Sequence, residues 1–437
     1  MGSGDSKMRR AHSRSPQGLF RQTMNAFLYY LKPKNALVEL LGRPALQHQV
    51  ENLRRFGIKT IGVSCLKTAP EANQIEKLCS DLKDVKFVPA PSKPGSGGFL
   101  FLAGGMFPKG FFYIDGDQFF LFDAKRMYDF HQEKDDAITV MLRPEPPSKN
   151  PTFIVADEGH VVAIDLDNVG ISMSPLAFSG AVYIGPLLAE SFEPDSFFEM
   201  DLMTEVVHPT FAAGNCVGYK SSEYVMPISR NIAIENDIQK GLVEARCLAN
   251  KQKAIFLDRD GVLNEFGDFV TSPEQLKMKK EAAEAVRLIN QSGYLAIVVT
   301  NQPIVARGQT DIHTLLQIHG RLHFLLGING AVLDDLYFCP HFPVVEGEHP
   351  NMKYVQECSC RKPGIGMYLQ AASRYNIDLS QSWMIGDTTQ DVQAGINAGC
   401  RTALILSGDP NPRKKYPDAK PDIECQTLLE ALKAIIG

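Results

Sequence analysis

The stretch Lys253-Ala-Ile-Phe-Leu-Asp-Arg-Asp-Gly261 carries two carboxylates, Asp258 and Asp260, immediately past a short apolar run. Residues two apart in an extended segment point the same way, so both acids can face one spot beyond the carboxyl end of a parallel strand. One can attack phosphorus and form an aspartyl-phosphate, while the other, protonated, hands a proton to the leaving alcohol. Two further stations follow in the same rhythm. The run Leu295 to Val299 ends in Thr300-Asn301-Gln302, whose hydroxyl and amides can donate to a phosphoryl group. Trp383-Met384-Ile385 runs into Gly386-Asp387, with Asp391 four residues later. A third carboxylate completes an oxygen-ligand set for Mg²⁺, a hard cation held by one or two carboxylates together with waters and phosphate. Between these stations Arg361-Lys362-Pro363 supplies fixed positive charge, which offsets carboxylate repulsion and stabilises a transferring group. Order and spacing together predict one phosphoryl-transfer site built from three strand ends.

A second set, Cys339-Pro340-His341 with Cys358-Ser359-Cys360, offers four soft or borderline ligands in two close pairs across a loop rich in Pro, Gly and charge. That pattern suits a tetrahedral structural Zn²⁺ with no position left open for water. Its role would be to fold residues 342–357 and anchor Arg361 and Lys362.

On these motifs residues 251–437 resemble the haloacid-dehalogenase superfamily of phosphatases, in the branch containing heptose-bisphosphate and histidinol-phosphate phosphatases. The matching runs are Asp258 to Asn264, Thr300-Asn301-Gln302, Ala306-Arg307-Gly308 and the Cys-x-His and Cys-x-Cys pairs. The resemblance implies Asp258 as nucleophile, Asp260 as general acid/base, and Thr300 and Lys362 as the pair that orients the phosphoryl group. It implies Mg²⁺ on Asp258, Asp387 and the backbone carbonyl of Asp260, with Asn301, Arg307 and Arg361 as substrate contacts. Pro303-Ile304 departs from the Ser-Gly usual there, which stiffens the loop carrying Arg307 and removes an amide donor.

The positioning elements point to an α/β chain of two Rossmann-like domains, each a mainly parallel sheet flanked by helices. A length of 437 residues exceeds a single core, and 44 % hydrophobic residues is ample for two. The net charge of −5 carries no footprint for nucleic acid, and no run approaches a membrane span. Nine scattered cysteines fit a reducing, cytoplasmic setting rather than a disulfide framework. Residues 1–29 read as a poorly defined tail. Within it Met1-Gly2 with Ser6 also fits a myristoylation pattern. Residues 30–240 form a first domain, 241–250 end a bridging helix that begins near Asn231, and 251–437 form the second.

The first domain alternates strand and helix signals: a helix from Pro44 to Phe56, a strand from Ile58 to Ser64, a strand at Phe111 to Ile114, and a hairpin from Thr152 to Asp165 around Glu158-Gly159. It resembles the sugar-1-phosphate nucleotidyltransferases through Pro33-Lys34, Gly42-Arg43-Pro44, the Gly95-Ser96-Gly97-Gly98 loop and Asp115-Gly116-Asp117, which makes Asp117 a candidate metal ligand. The family's opening strand and Gly-rich phosphate cradle find no counterpart in residues 1–32. Pro227-Ile228-Ser229-Arg230 stands where a second metal-binding acid is expected. The expectation is a Mg²⁺-dependent phosphatase acting on a small phosphomonoester such as a heptose bisphosphate, fused to a domain without nucleotidyl transfer. A fusion of these two types suits a sugar, because stripping one phosphate and activating the other are adjacent steps. Histidinol phosphate as substrate, a bifunctional enzyme and a non-catalytic scaffold are the alternatives.

Overall fold

The computed structural model describes residues 23–134, 136–146, 152–155, 159–165, 176–193 and 196–437. Nine strands of the first half form one sheet: β1 Met24–Tyr30, β2 Ile58–Cys65, β3 Val85–Phe87, β4 Phe111–Asp115, β5 Ile138–Pro144, β6 Thr152–Val155, β7 Val161–Asp165, β8 Leu176–Ile184 and β9 Cys216–Lys220. Their order is β7-β6-β8-β4-β1-β2-β3, with β5 pairing β8 and β9. The β4-β1-β2-β3 block is parallel, and β8 runs antiparallel to β4, β5 and β6.

β1 corrects the sequence reading. All but the last residue of Met24–Tyr30 lies inside the segment assigned to a tail, yet it is a central strand with Ala26, Phe27 and Leu28 fully buried. An opening strand is therefore present, while the loop after it, Leu31 to Val38, contains no glycine. The earlier part of the tail, including Gly2 and Ser6, and the hairpin residue Glu158 lie outside the described residues. Helix α1, Ala45–Arg55, turns Leu46, Val50 and Leu53 inward and ends at Gly57, whose φ of +88° suits glycine. The single helix expected from Asn231 is instead two, α2 Asn231–Gln239 and α3 Leu242–Ala245, divided where Gly241 adopts φ +72°.

The second half forms a six-stranded, wholly parallel sheet: β10 Ala254–Leu257, β11 Leu295–Asn301, β12 Asp335–Cys339, β13 Trp383–Gly386, β14 Arg401–Ile405 and β15 Ile423–Cys425, in the order β12-β11-β10-β13-β14-β15. Helices α4 Ala282–Gln291, α5 Ile312–Gly327, α6 Gly366–Tyr375, α7 Thr389–Ala398 and α8 Leu428–Ile436 flank it. All four residues of β10 are fully buried, which explains the unbroken apolar run of its sequence. The chain leaves β10 toward β11 on one side and later returns to β13 on the other. That reversal opens a crevice at the carboxyl end of β10.

A buried carboxylate ties the linking segment to the first half. Glu223 accepts from Asp123 N at 2.7 Å, Leu248 N at 3.0 Å and Ser221 Oγ at 3.0 Å. Lys220 pairs with Asp335 at 3.2 Å, and Arg126 donates to the carbonyls of Ser373 and Arg374 at the end of α6. Among the described residues no helix is long and apolar enough to cross a membrane, and all nine cysteines are free.

Burial pushes the Glu223 carboxyl up to about 7 against these three donors. Its folded value lies above the unfolded 4.5, so its contribution is fully present below pH 4.5 and is lost as pH rises to 7. At 1.36 kcal/mol per pH unit the loss is about 3 kcal/mol. The stability advantage of wild type over Glu223→Gln, measured by urea unfolding, should therefore shrink across that window.

Candidate active site

Each station lies where a strand ends. Asp258 follows β10 directly, Thr300 and Asn301 close β11, and Asp387 follows β13. The centre of the arrangement is Lys362, buried, with Nζ 2.9 Å from Asp258 Oδ1, 2.6 Å from Asp391 Oδ1 and 2.9 Å from the Val299 carbonyl. Burial opposes its charge, but the two carboxylates more than compensate and hold Lys362 up at about 12.

Carboxylate oxygens of Asp258, Asp387 and Asp391 all lie within 4.8 Å of one another. Burial, then the charges of Asp391 and Asp258, push Asp387 up to about 8. Burial likewise lifts Asp258 to about 6, with Lys362 opposing. Three crowded acids with one ammonium leave room for a further cation, and oxygen-only donors suit a hard one. Asp391, noted in the sequence only by its spacing, thus joins the cluster. It also forms the capping box of α7, accepting from Thr388 N at 3.2 Å, and accepts from Thr388 Oγ1 at 2.6 Å.

The carboxylate of Asp260 sits in a separate ring of donors. Arg259 Nη2 reaches both its oxygens at 2.8 and 2.9 Å, Asn264 Nδ2 reaches it at 3.0 Å, and Gln302 Nε2 at 2.8 Å. Burial works against ionisation here, yet Arg259, Gln302 and Asn264 outweigh it and keep Asp260 below the usual carboxylate range. Gln302 Nε2 also donates to Thr300 Oγ1 at 2.9 Å. Sequence reasoning had named the acids but not this ring, although Arg259 stands between them in the chain.

Asn301 has its amide committed to the Lys362 backbone. It accepts from Lys362 N at 2.9 Å and donates to Lys362 O at 3.2 Å. Arg307 pairs with Glu346 at 2.9 Å and lies between the rings of Phe269 and Phe342, 4.9 and 4.6 Å from their centroids. Arg361 covers Phe342 at 4.8 Å and donates to the His341 carbonyl at 3.1 Å. The unusual Pro303-Ile304 step has a packing explanation: Ile304, Val305 and Leu315 form a small core covered by Phe338 and Tyr354, which anchors the Arg307 loop.

The four residues Cys339, His341, Cys358 and Cys360 converge. Sγ–Sγ separations are 3.2 to 3.5 Å, and His341 Nδ1 lies 3.7 Å from Cys339 and 3.3 Å from Cys360. These are close to the edges of a tetrahedron around one ion with ligands at about 2.0–2.3 Å. Hydrogen bonding from Cys339 draws Cys360 below the usual thiol range.

Asp117, the candidate ligand of the first half, accepts from Lys32 N at 3.1 Å and Asn35 Nδ2 at 3.0 Å. Among the described residues it joins no cluster of three metal-binding side chains. The backbone of Ile228 donates to the Asp117 carbonyl at 3.0 Å, so the acid-free Pro227–Arg230 segment does sit beside it. The Gly95–Gly98 loop packs on its own chain: a Cβ on Gly95 would lie 2.4 Å from Met200 O, and Gly97 N donates to that carbonyl at 2.7 Å.

The sequence matches the HAD-hydrolase-like family over residues 359–431. With carboxylates after β10 and β13, Thr300 at the end of β11 and Lys362 gathered at one crevice, the matches define a hydrolase acting on phosphomonoesters. The D-glycero-β-D-manno-heptose-1,7-bisphosphate 7-phosphatase of Haemophilus ducreyi is 38 % identical over 156 residues, 36 % of this chain and 83 % of that relative. The chain belongs to this phosphatase family. The D,D-heptose 1,7-bisphosphate phosphatase of B. bronchiseptica, solved with magnesium and phosphate, is 34 % identical and aligns with 42 % of this chain and 98 % of its own, with a TM-score of 0.37. HddC from Yersinia pseudotuberculosis aligns with 49 % of this chain and 100 % of its own at 15 % identity, with a TM-score of 0.40.

Two glycines make room for Asp387. A Cβ on Gly261 would fall 1.8 Å from its Oδ2 and one on Gly408 2.2 Å, and Gly408 has a backbone that alanine can adopt. Gly408→Ala should therefore displace the Asp387 carboxylate without a backbone penalty. A displacement of about 1 Å lowers kcat about 10²-fold, while thermal unfolding should report an overpacking cost of only about 1–3 kcal/mol.

Proposed function

We propose that residues 251–437 form a phosphatase domain that removes the 7-phosphate of a heptose 1,7-bisphosphate through an aspartyl-phosphate on Asp258. The observation that carries this reading is the Lys362 ammonium bridging Asp258 and Asp391 beside Asp387, in a chain that is 38 % identical over 156 residues to a phosphatase named for that substrate. Asp258 attacks phosphorus, the bond to the sugar oxygen breaks, and a proton from Asp260 goes to the leaving alkoxide. Water then attacks the aspartyl-phosphate, gives its proton to Asp260 and releases inorganic phosphate with Asp258 restored. Asp260, ionised at rest, is prepared for the second of these steps and must be protonated for the first. Thr300 and Lys362 hold the phosphoryl oxygens. Asp258, Asp387 and the Asp260 carbonyl would hold Mg²⁺, which would supply positive charge beside the transferring group.

Asn301 then acts as a brace for Lys362, while Arg307 and Arg361 receive the phosphate that is not cleaved, which displaces Glu346 from Arg307. The Cys339, His341, Cys358 and Cys360 set holds a structural Zn²⁺, because all four positions are protein ligands. For residues 24–240 we propose a nucleotidyltransferase-like domain without transferase activity. The loop after β1 offers Lys32 N and Asn35 to Asp117 and has no glycines to cradle phosphates.

Asp258→Asn should abolish phosphate release from the heptose bisphosphate, to less than about a hundredth of wild type, since a lost nucleophile costs more than the 10²–10⁴ of acid/base help. Asp260→Asn should retain slow phosphorylation but fail to turn over. Elemental analysis should find about one zinc per chain, lost in Cys358→Ser together with thermal stability of the phosphatase half. Metal-free protein of full stability would contradict the zinc assignment.

A further inference from the structure

Arg307 carries a carboxylate that the reaction does not use. Its Nη2 lies 2.9 Å from Glu346 Oε2, with 20 % of the Arg307 side chain and 46 % of the Glu346 side chain exposed. The pair is incomplete, because Arg307 Nε is buried and makes no hydrogen bond. Arg307 and Arg361 both lie against the ring of Phe342, 4.6 and 4.8 Å from its centroid, and among the described residues Glu346 is the only carboxylate paired with either. Two guanidiniums and one carboxylate leave a surplus of positive charge, and a planar fork met at one nitrogen is not filled. A phosphate ester brings up to two negative charges and three acceptor oxygens, more of both than Glu346 supplies.

Glu346 is not needed to hold Arg307 in place. The guanidinium lies between the rings of Phe269 and Phe342, Arg307 N donates to Pro303 O at 2.9 Å, and Asn351 N donates to Ala306 O at 2.9 Å. The two loops also meet backbone to backbone: a Cβ on Gly347 would fall 2.3 Å from Arg307 O, and one on Gly308 1.7 Å from His349 O. Glu346, next to Gly347, is therefore delivered to Arg307 by the fold of its own loop.

We propose that Glu346 is a built-in rival for the phosphate that is not cleaved: it occupies Arg307 in the free enzyme, yields to that phosphate when substrate binds, and by returning helps to expel a product that still carries it. This rests on the assignment of Arg307 under the proposed function. Hydrolysis removes one phosphate only, so substrate and product grip Arg307 alike, and binding energy spent there holds both equally without speeding the chemistry. A competing carboxylate lowers the affinity for both by the fraction of enzyme in which Arg307 is already taken. Glu346 thus keeps the anchoring phosphate from turning the product into a tight inhibitor.

The test measures inhibition of the full-length enzyme by heptose 1-phosphate, the product of the proposed reaction. The hydrolysed substrate in the assay is heptose 7-phosphate, which lacks the anchoring phosphate. Glu346→Gln should lower the inhibition constant of the 1-phosphate about two- to fivefold, the range of a partly exposed ion pair, at unchanged kcat and KM for the 7-phosphate. In an Arg307→Ala background the same substitution should change nothing, because the two carboxylate and phosphate rivals have lost their common partner. An inhibition constant that rises in Glu346→Gln would show that Glu346 positions Arg307 instead. One that stays the same, or that falls equally with Arg307→Ala in place, would show no rivalry at Arg307, and each of these results overturns the proposal. Arg307→Ala alone is the reference and should raise the inhibition constant. If it does so while Glu346→Gln has no effect, only the Glu346 inference fails. If Arg307→Ala leaves the constant unchanged, the assignment of Arg307 fails and the inference falls with it.

Discussion

The site depends on one ammonium among carboxylates. Asp258, Asp387 and Asp391 bring their oxygens within 4.8 Å, a density of negative charge that a buried crevice cannot hold unaided. Lys362 answers two of them directly, and Asp387, without an ion pair among the described residues, is pushed above the usual carboxylate range by burial and then by the charges of Asp391 and Asp258. The same imbalance suits the proposed chemistry: Asp258 stands beside a fixed positive charge, and the surplus of negative charge favours a further hard cation.

Much of the second half serves to put Lys362 in that position. Its backbone is gripped by Asn301 at the end of β11 and by Gln390 on α7, and its ammonium is aimed by the Val299 carbonyl. Immediately before it, Cys358 and Cys360 close on Cys339, the last residue of β12, and on His341 just beyond it. The Cys/His loop and the strand that ends at Asp258 are therefore coupled through a segment of two residues, Arg361 and Lys362. Lys279 performs a parallel service on the other side, where its Nζ ties Gly261 O at 2.6 Å to Ser407 O at 3.0 Å and so fixes the glycines that make room for Asp387.

The phosphatase half was legible because parallel strands buried on both faces read as unbroken apolar runs, and the reactive residues follow those runs directly. Its Cys/His pairs were legible for a similar reason, since close spacing constrains where such ligands can go. The first half was harder. Met24–Tyr30 is as apolar as any strand, but it was read with the polar tail before it, because the expected signal was the glycine loop that should follow. The break at Gly241 needed a backbone angle, and a glycine within a helical run does not declare one. Asp391 showed its spacing but not its bond to Lys362. Least visible were Arg259 beside Asp260 and Glu223 beside the linking segment. What matters about them is which atoms have partners, a property of the folded contacts and not of the pattern.

The central claim, covalent catalysis on Asp258, is tested most directly by trapping the intermediate. Asp260→Asn protein mixed with the radiolabelled bisphosphate, quenched in acid and digested should yield one labelled peptide containing Asp258, with the label released by hydroxylamine as expected of an acyl phosphate. Phosphate release without any labelled peptide, or a label on a residue other than Asp258, would contradict the account.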